Sequence, residues 1–187
     1  MRWRYPLAAL CVVILSGPGT LRAEPPGTEQ LIGTFVGRAE DEQGVGKKQE
    51  KRDIVIEIEP YHERGLRLRW NNVTLVDGRR DVPGVKFRRD EVLLMPTPDR
   101  SFFLAAVGYD PFAEKKEPDA ISGDSLRWGV VEGEALGLFT FTILPDGTYE
   151  LQTTRRRPDA DGVRLDFERI VDGEVMRHMT GHAVRAD

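Results

Sequence analysis

Cysteine is almost absent from this chain. The 187 residues contain one cysteine, Cys11, and it lies in the apolar N-terminal segment. The rest of the chain therefore cannot form an intramolecular disulfide bond. Roughly 160 residues are enough to bury a hydrophobic core without such cross-links, so a stable domain remains compatible even with an oxidising compartment.

The sequence also lacks an excess of basic residues and a second long apolar run. It carries 27 Lys and Arg against 31 Asp and Glu, which gives a net charge of −4. A general nucleic-acid-binding protein needs a basic surface that displaces counterions, so no nucleic-acid partner is expected. Beyond the N-terminal segment no stretch is long and apolar enough for a membrane helix, so we expect no integral membrane segment in the mature chain.

Motifs of catalysis and of metal binding are missing as well. The chain has no Gly-x-Ser-x-Gly motif and no glycine-rich phosphate loop. His178 and His182 are four residues apart, which on a strand separates them by about 13 Å, too far to share one ion. We therefore predict no catalytic residue, no metal and no cofactor.

The N-terminus has the pattern of a secretory signal. Arg2 and Arg4 precede the apolar run from Leu7 to Leu15, and Leu21-Arg22-Ala23 offers a cleavage site. We predict a signal peptide over 1–23 and a single domain over 24–187, in the periplasm or secreted. Cleavage would remove Arg2, Arg4 and Arg22 and no acid, so the net charge would change from −4 to −7.

The remaining chain alternates apolar and polar residues with a period of two. Ile54, Ile56 and Ile58 alternate with Val55, Glu57 and Glu59, and several later segments are separated by glycine-containing turn pairs. About eight to ten short strands and no helical periodicity predict an all-β, antiparallel up-and-down meander barrel, with a β-sandwich as the alternative. Tyr109 to Asp124 contains two prolines and is predicted to be a long, functionally variable loop.

Two hairpin turns predict which side chains share a face. A two-residue loop at Glu132-Gly133 would pair Trp128 with Gly137, and a three-residue loop at Pro145-Asp146-Gly147 would pair Gly137 with Arg155. We predict that this face points into the barrel. It comprises Leu126, Trp128, Val130, Ala135, Gly137, Phe139, Phe141, Ile143, Tyr149, Leu151, Thr153 and Arg155.

The row formed by Trp128, Gly137 and Arg155 has two interpretations. Arg155 could orient an acidic or carbonyl-bearing ligand against aromatic walls, or it could be a structural arginine packed on Trp128 near the barrel end. The ligand interpretation predicts these binding residues: Trp128, Phe139, Phe141, Tyr149, Arg155 and His178. An open cavity of roughly 300 Å³ beside Arg155 would favour it.

The place of His178 depends on the last hairpin. With Asp172-Gly173 as a simple two-residue loop, Glu168 pairs with Arg177, and His178 and His182 point inward. A β-bulge in this hairpin would instead turn both histidines to solvent.

The segment Leu31-Ile32-Gly33-Thr34-Phe35 resembles the Gly-x-Trp opening strand of lipocalin and avidin-like barrels, with Phe35 in place of the tryptophan. The whole mature chain is similar to small exported bacterial barrels of this type. The resemblance implies a barrel that often holds a small apolar ligand. In lipocalins an arginine packs over the opening-strand tryptophan, and Arg155 over Trp128 would be an analogous pairing.

Three functions follow. The leading hypothesis is an exported barrel that binds a small, partly apolar or acidic ligand, with Arg155 as its polar anchor. The second is a filled barrel that acts as a cell-envelope structural or protein-interaction module, with an envelope protein as partner and with specificity in the Tyr109 to Asp124 loop. The third is an enzyme of isomerase or cyclase type, which an acid beside an interior His178 would favour.

Overall fold

A computed structural model describes residues 28–42, 50–62, 64–98, 102–106 and 118–186. Ten strands account for most of them. They are β1 (Gly33–Asp41), β2 (Lys51–Tyr61), β3 (Gly65–Thr74), β4 (Lys86–Pro96), β5 (Phe102–Ala105), β6 (Leu126–Glu132), β7 (Ala135–Ile143), β8 (Tyr149–Asp159), β9 (Gly162–Val171) and β10 (Glu174–Arg185). Short 3₁₀ helices occupy Glu29–Leu31 and Ala120–Ser122. No described helix has the length and apolar character that crossing a membrane would require.

The strands form one closed antiparallel barrel in which sequence neighbours are also neighbours in space. β1 closes the circle by pairing with β10, for example Val36 with Val184. This confirms the predicted up-and-down barrel and rules out the sandwich. The predicted signal peptide lies outside the described residues, as does most of the predicted Tyr109 to Asp124 loop, of which 118–124 contains no strand.

The barrel interior is defined by a single cluster of buried apolar side chains. Cross-strand pairs propagate one inward face around the barrel: Phe35 faces Ile56, Leu68 faces Val92, and Val163 faces Ala183. The cluster comprises Leu31, Phe35, Ile54, Ile56, Ile58, Leu66, Leu68, Val92, Leu94, Phe103, Leu136, Leu138, Val163, Leu165 and Ala183. It fills the half of the barrel nearest the start of β1, which we call the closed end.

An arginine from the last strand seals the closed end against the first. The Arg185 guanidinium lies 4.8 Å from the centre of the Phe35 ring, and its nitrogens donate to the carbonyls of Ile32 at 2.6 Å and Gln30 at 2.8 Å. Gly33 leaves the space for it, because a Cβ at that position would lie 2.2 Å from Arg185 Nη1. Gly33 and Phe35 of the opening motif thus serve the same contact.

The β6–β7 hairpin differs in register from the prediction. Its two-residue loop is Gly133-Glu134, so Glu132 faces Ala135 and Trp128 faces Phe139 rather than Gly137. Only Gly133 has a positive φ, of 60°, which is the glycine-first pattern of a type II′ turn; the predicted loop would have placed a glutamate at that position. The predicted row of Trp128, Gly137 and Arg155 is therefore wrong.

The β7–β8 hairpin is as predicted. Gly147 has a φ of 85°, and the Leu144 N–H donates to the Thr148 carbonyl at 2.8 Å. Gly137 faces Arg155, and Phe139 faces Thr153. The register shift in the preceding hairpin spans an even number of residues, so Trp128 and Phe139 still share a face.

That shared face, however, points out of the barrel. On β7 the core residues are Leu136 and Leu138, which alternate with Gly137 and Phe139 and so occupy the opposite face. The predicted interior placement is thus wrong for Trp128, Phe139, Phe141, Tyr149 and Arg155. The hairpin turns determine which residues share a face. Which of the two faces points inward is determined by packing against the core residues of the other strands.

His178 also faces outward. The Asp172-Gly173 loop is present, but the pairing shifts between Val175 and Arg177, so that Glu168 faces His178 instead of Arg177. This is the β-bulge alternative. Both histidines therefore lie on the outer surface, as expected for that alternative, and His178 does not line the interior as the ligand hypothesis required.

Candidate functional site

The inward face changes character halfway along the barrel. Beyond Leu138, the same face of β7 continues with Thr140 and Thr142, which in register oppose Gln152 and Glu150 of β8. We call this region the polar half. Its inward residues include Asp41, Glu50, Arg52, Asn72, Thr74, Thr140, Thr142, Glu150, Gln152, Arg169 and Arg177.

The half-buried charges of the polar half pair with one another, whereas Lys86 and Arg88, in register with Thr74 and Asn72, are exposed to solvent. Arg169 Nε donates to Glu150 Oε2 at 2.6 Å, and Gln152 Nε2 donates to Glu150 Oε1 at 2.5 Å. Burial raises the pKa of Glu150, but the hydrogen bonds from Arg169 and Gln152 outweigh it and hold the pKa below its ordinary value. On the other side of this half, Arg177 lies 3.3 Å from Glu50. These groups therefore compensate each other without a ligand.

Arg156 is different. It faces inward between Leu136 and Leu165, is only 3% exposed, and lies with its guanidinium 5.8 Å from the centre of the Trp70 ring. Its Nε and Nη1 are buried and have no hydrogen-bond partner among the residues described. Burial lowers the pKa of Arg156 to about 10, yet the group remains charged near neutral pH.

The strand alternation explains how this arginine enters the core. Arg155, Arg156 and Arg157 are consecutive on β8, so either the outer two or the middle one must point inward. Pairing with Leu136 turns Arg156 inward, whereas Arg155 and Arg157 are exposed. The interior therefore contains an arginine, as predicted, but it is Arg156 and not Arg155.

A thin part of the barrel wall lies beside the polar half. β5 is four residues long, and its ladder to β4 covers only the last three residues of that strand. Arg127 of β6 reaches across to β4, donating from Nη1 and Nη2 to the two carboxylate oxygens of Asp90 at 3.0 and 2.8 Å. This bidentate pair joins β4 to β6 past the short strand.

The predicted aromatic walls form stacks on the outer surface. Trp128 and Phe139 stack with ring centres 5.3 Å apart, and Phe141 and Tyr149 with centres 5.9 Å apart. Arg155 lines a groove of about 300 Å³, the size expected for a ligand cavity, but with Arg157, Asp166 and Thr180 on the outside of the barrel. These five side chains lie on the outer surface, so they cannot line an interior cavity. Whether they bind a ligand stays a prediction.

The histidines make acid contacts on the outer surface. His178 lies 3.2 Å from Glu42 and 3.4 Å from Asp166, and His182 lies 3.0 Å from Asp161. The acid neighbour that would favour an enzyme is present, but the histidine is not inside. Within the described ranges, no group of three or more His, Cys, Asp or Glu side chains could hold a metal.

Arg156 and Trp70 are the site residues that the sequence did not reveal. The signal was present in the alternation of Arg155 to Arg157, but its inward member could be chosen only after the inward face of β7 was known.

Comparison with known proteins adds no assignment to this geometry. None of the known protein-family models matches the chain, and a search of curated proteins finds no significant sequence similarity.

Proposed function

We propose that this protein is an exported, lipocalin-like barrel that binds a small, partly apolar anion in its interior, with Arg156 as the anchor. The observation that carries the proposal is the buried guanidinium with two unpaired nitrogens. A buried charge without a counter-ion is costly, so proteins normally pair it. A bound carboxylate would supply a missing acceptor, because guanidinium groups form strong, charge-assisted hydrogen bonds with carboxylates.

The surroundings of Arg156 suit a ligand with an acidic group and an apolar body. Trp70 provides an aromatic surface, and Leu136 and Leu165 flank the arginine in register. The paired charges of the polar half, such as Glu150 with Arg169, do not compete for the ligand because they already have partners. Among the inward cations, Arg156 is buried and has unpartnered nitrogens, whereas Lys86 and Arg88 are exposed to water, so an incoming anion would stabilise Arg156 more.

Two features support the lipocalin-like resemblance and the proposed localisation. Arg185 contacts Phe35 and donates to the carbonyl of Ile32. This contact resembles the arginine that packs over the opening-strand tryptophan in lipocalins. The N-terminal segment from Arg2 to Ala23 has the sequence of a secretory signal and supports export.

The test uses a panel of small apolar carboxylates, each matched with its neutral alcohol. Binding is followed by the fluorescence of Trp70 in a Trp128→Phe background, so that the outer tryptophan does not contribute. We expect a carboxylate to bind at least about tenfold more tightly than its alcohol, because a hydrogen bond to a charged group contributes roughly 1.5–3 kcal/mol.

Arg156→Met should abolish this preference, and Arg155→Met is the matched control because its side chain is exposed on the outer face. If no carboxylate binds better than its alcohol, or if both variants bind like the parent, the proposal is wrong and a filled barrel is favoured.

A further inference from the structure

The outer surface of the barrel carries a continuous apolar area on four adjacent strands, β5 to β8. In register, Leu104 faces Trp128, Trp128 faces Phe139, and Phe141 faces Leu151. We call this area the outer apolar face. It comprises Phe102, Leu104, Leu126, Trp128, Val130, Phe139, Phe141, Ile143, Tyr149 and Leu151.

The opposite side of the barrel has a charged exterior. On β1 to β3, Arg38 lies 2.8 Å from Asp53, and Arg69 lies 3.0 Å from Glu57 and 2.9 Å from Glu59. These paired charges are typical of a surface that stays in water. Exposed apolar residues occur on this side as well, such as Val36 beside Val184, but Arg38 and Asp53 lie on the same strands, and the apolar residues do not extend over four strands.

The outer apolar face does not serve the protein's own core. On β7, Thr140 and Thr142 point inward where Phe139 and Phe141 point outward, so polarity is inverted relative to an ordinary water-soluble barrel. Leu104 is 55% exposed, although it is a large apolar residue. Burial of this face requires a surface outside the barrel.

The size of the face fits one side of a protein dimer. Four strands at about 4.8 Å and four rows at about 6.7 Å give an outer sheet area of about 500 Å², of which the ten apolar residues occupy about 320 Å². A standard interface buries about 800 Å² on each partner, so the outer apolar face has the size of the apolar centre of such an interface, with Arg155 at its rim.

The rim of the face favours a second copy over a lipid surface. Arg155 and Glu168 lie beside it on the outside of β8 and β9, and neither has an ionic partner within the described part of the chain. In a two-fold interface whose axis passes near this rim, Arg155 of one copy can pair with Glu168 of the other. An anionic membrane would require a basic excess, whereas the chain has a net charge of −4.

We propose that two copies of this chain associate through their outer apolar faces in a two-fold symmetric dimer. The inference does not depend on ligand binding at Arg156, which faces the interior. Light scattering coupled to size-exclusion chromatography should give a dimeric mass for the mature protein and a monomeric mass for Leu104→Glu. Val36→Glu is the matched control, because Val36 is 44% exposed and lies on the outer side of β1; it should stay dimeric.

A second measurement keeps the proposal testable if Leu104→Glu does not fold. The melting temperature of the unmodified dimer should rise with protein concentration, because association stabilises only the folded state. A monomeric mass for the unmodified protein, a concentration-independent melting temperature, or a dimer that Leu104→Glu leaves intact would each overturn the proposal. Binding of a monomer to phosphatidylglycerol vesicles would overturn it in favour of a lipid surface.

Discussion

Replacing Arg156 by methionine should stabilise the ligand-free protein. The pKa of about 10 lies roughly two to three pH units below that of a solvated guanidinium, and each unit corresponds to about 1.4 kcal/mol. Burial therefore costs the charged form about 3 kcal/mol. The stacking of the guanidinium on Trp70 offsets about 1 kcal/mol of this, and methionine fills a similar volume.

The expected gain is about 2 kcal/mol in the free energy of unfolding, or a rise of about 4–8 °C in melting temperature. Because the folded pKa is the lower one, the cost is fully present below about pH 10 and declines only as the pH rises above it. The gain should therefore be the same at pH 6 and at pH 8.

Urea and thermal unfolding of the two single variants measure this effect. Arg155→Met, on the outer face, should change stability by less than about 0.5 kcal/mol. If Arg156→Met instead destabilises the protein by more than about 1 kcal/mol, Arg156 has a stabilising role in the ligand-free fold, and the reasoning from its unpaired nitrogens is refuted.

Three further predictions concern the wall and the closed end. Gly33→Ala should cost about 2 kcal/mol or more, because the new Cβ would displace the Arg185 guanidinium and Gly33 has a φ of 140°; unchanged urea unfolding would contradict this. Asp90→Asn should speed amide hydrogen exchange in β4, because it removes the bidentate partner of Arg127; equal exchange rates would argue that the contact is incidental. Glu150→Gln should weaken the loss of stability in acid, since the lowered pKa of Glu150 contributes stability that is lost as the pH falls below about 4; identical acid unfolding would contradict it.

The hairpins show how far local sequence determines this fold. Gly147 in a three-residue loop was enough to predict the β7–β8 register, because turn geometry depends on neighbouring residues only. The prediction of the β6–β7 register was wrong because either Glu132-Gly133 or Gly133-Glu134 could form a two-residue loop. The loop that forms is the one in which Gly133 is the first residue and takes the positive φ.

The inward face could not be derived from the C-terminal hairpins. Period-two alternation gives two faces, and both are apolar on β7: Leu136 and Leu138 on one, Phe139 and Phe141 on the other. On β2 the choice is clear, because Ile56 alternates with charged Glu57. The inward face of β2 does not predict the inward face of β6, because the connection between β5 and β6 has no alternating pattern by which the faces could be followed along the sequence. The same error affects the predicted site: with the wrong face turned inward, Arg155 was predicted to be the interior arginine, whereas the interior arginine is Arg156.

The most direct measurement is native mass spectrometry of the protein purified from its own compartment. We predict a co-purifying small acidic molecule in the unmodified protein and in Arg155→Met, and its loss in Arg156→Met. A bound molecule that persists in Arg156→Met, or a bare chain in all three samples, would contradict an interior anion site at this arginine.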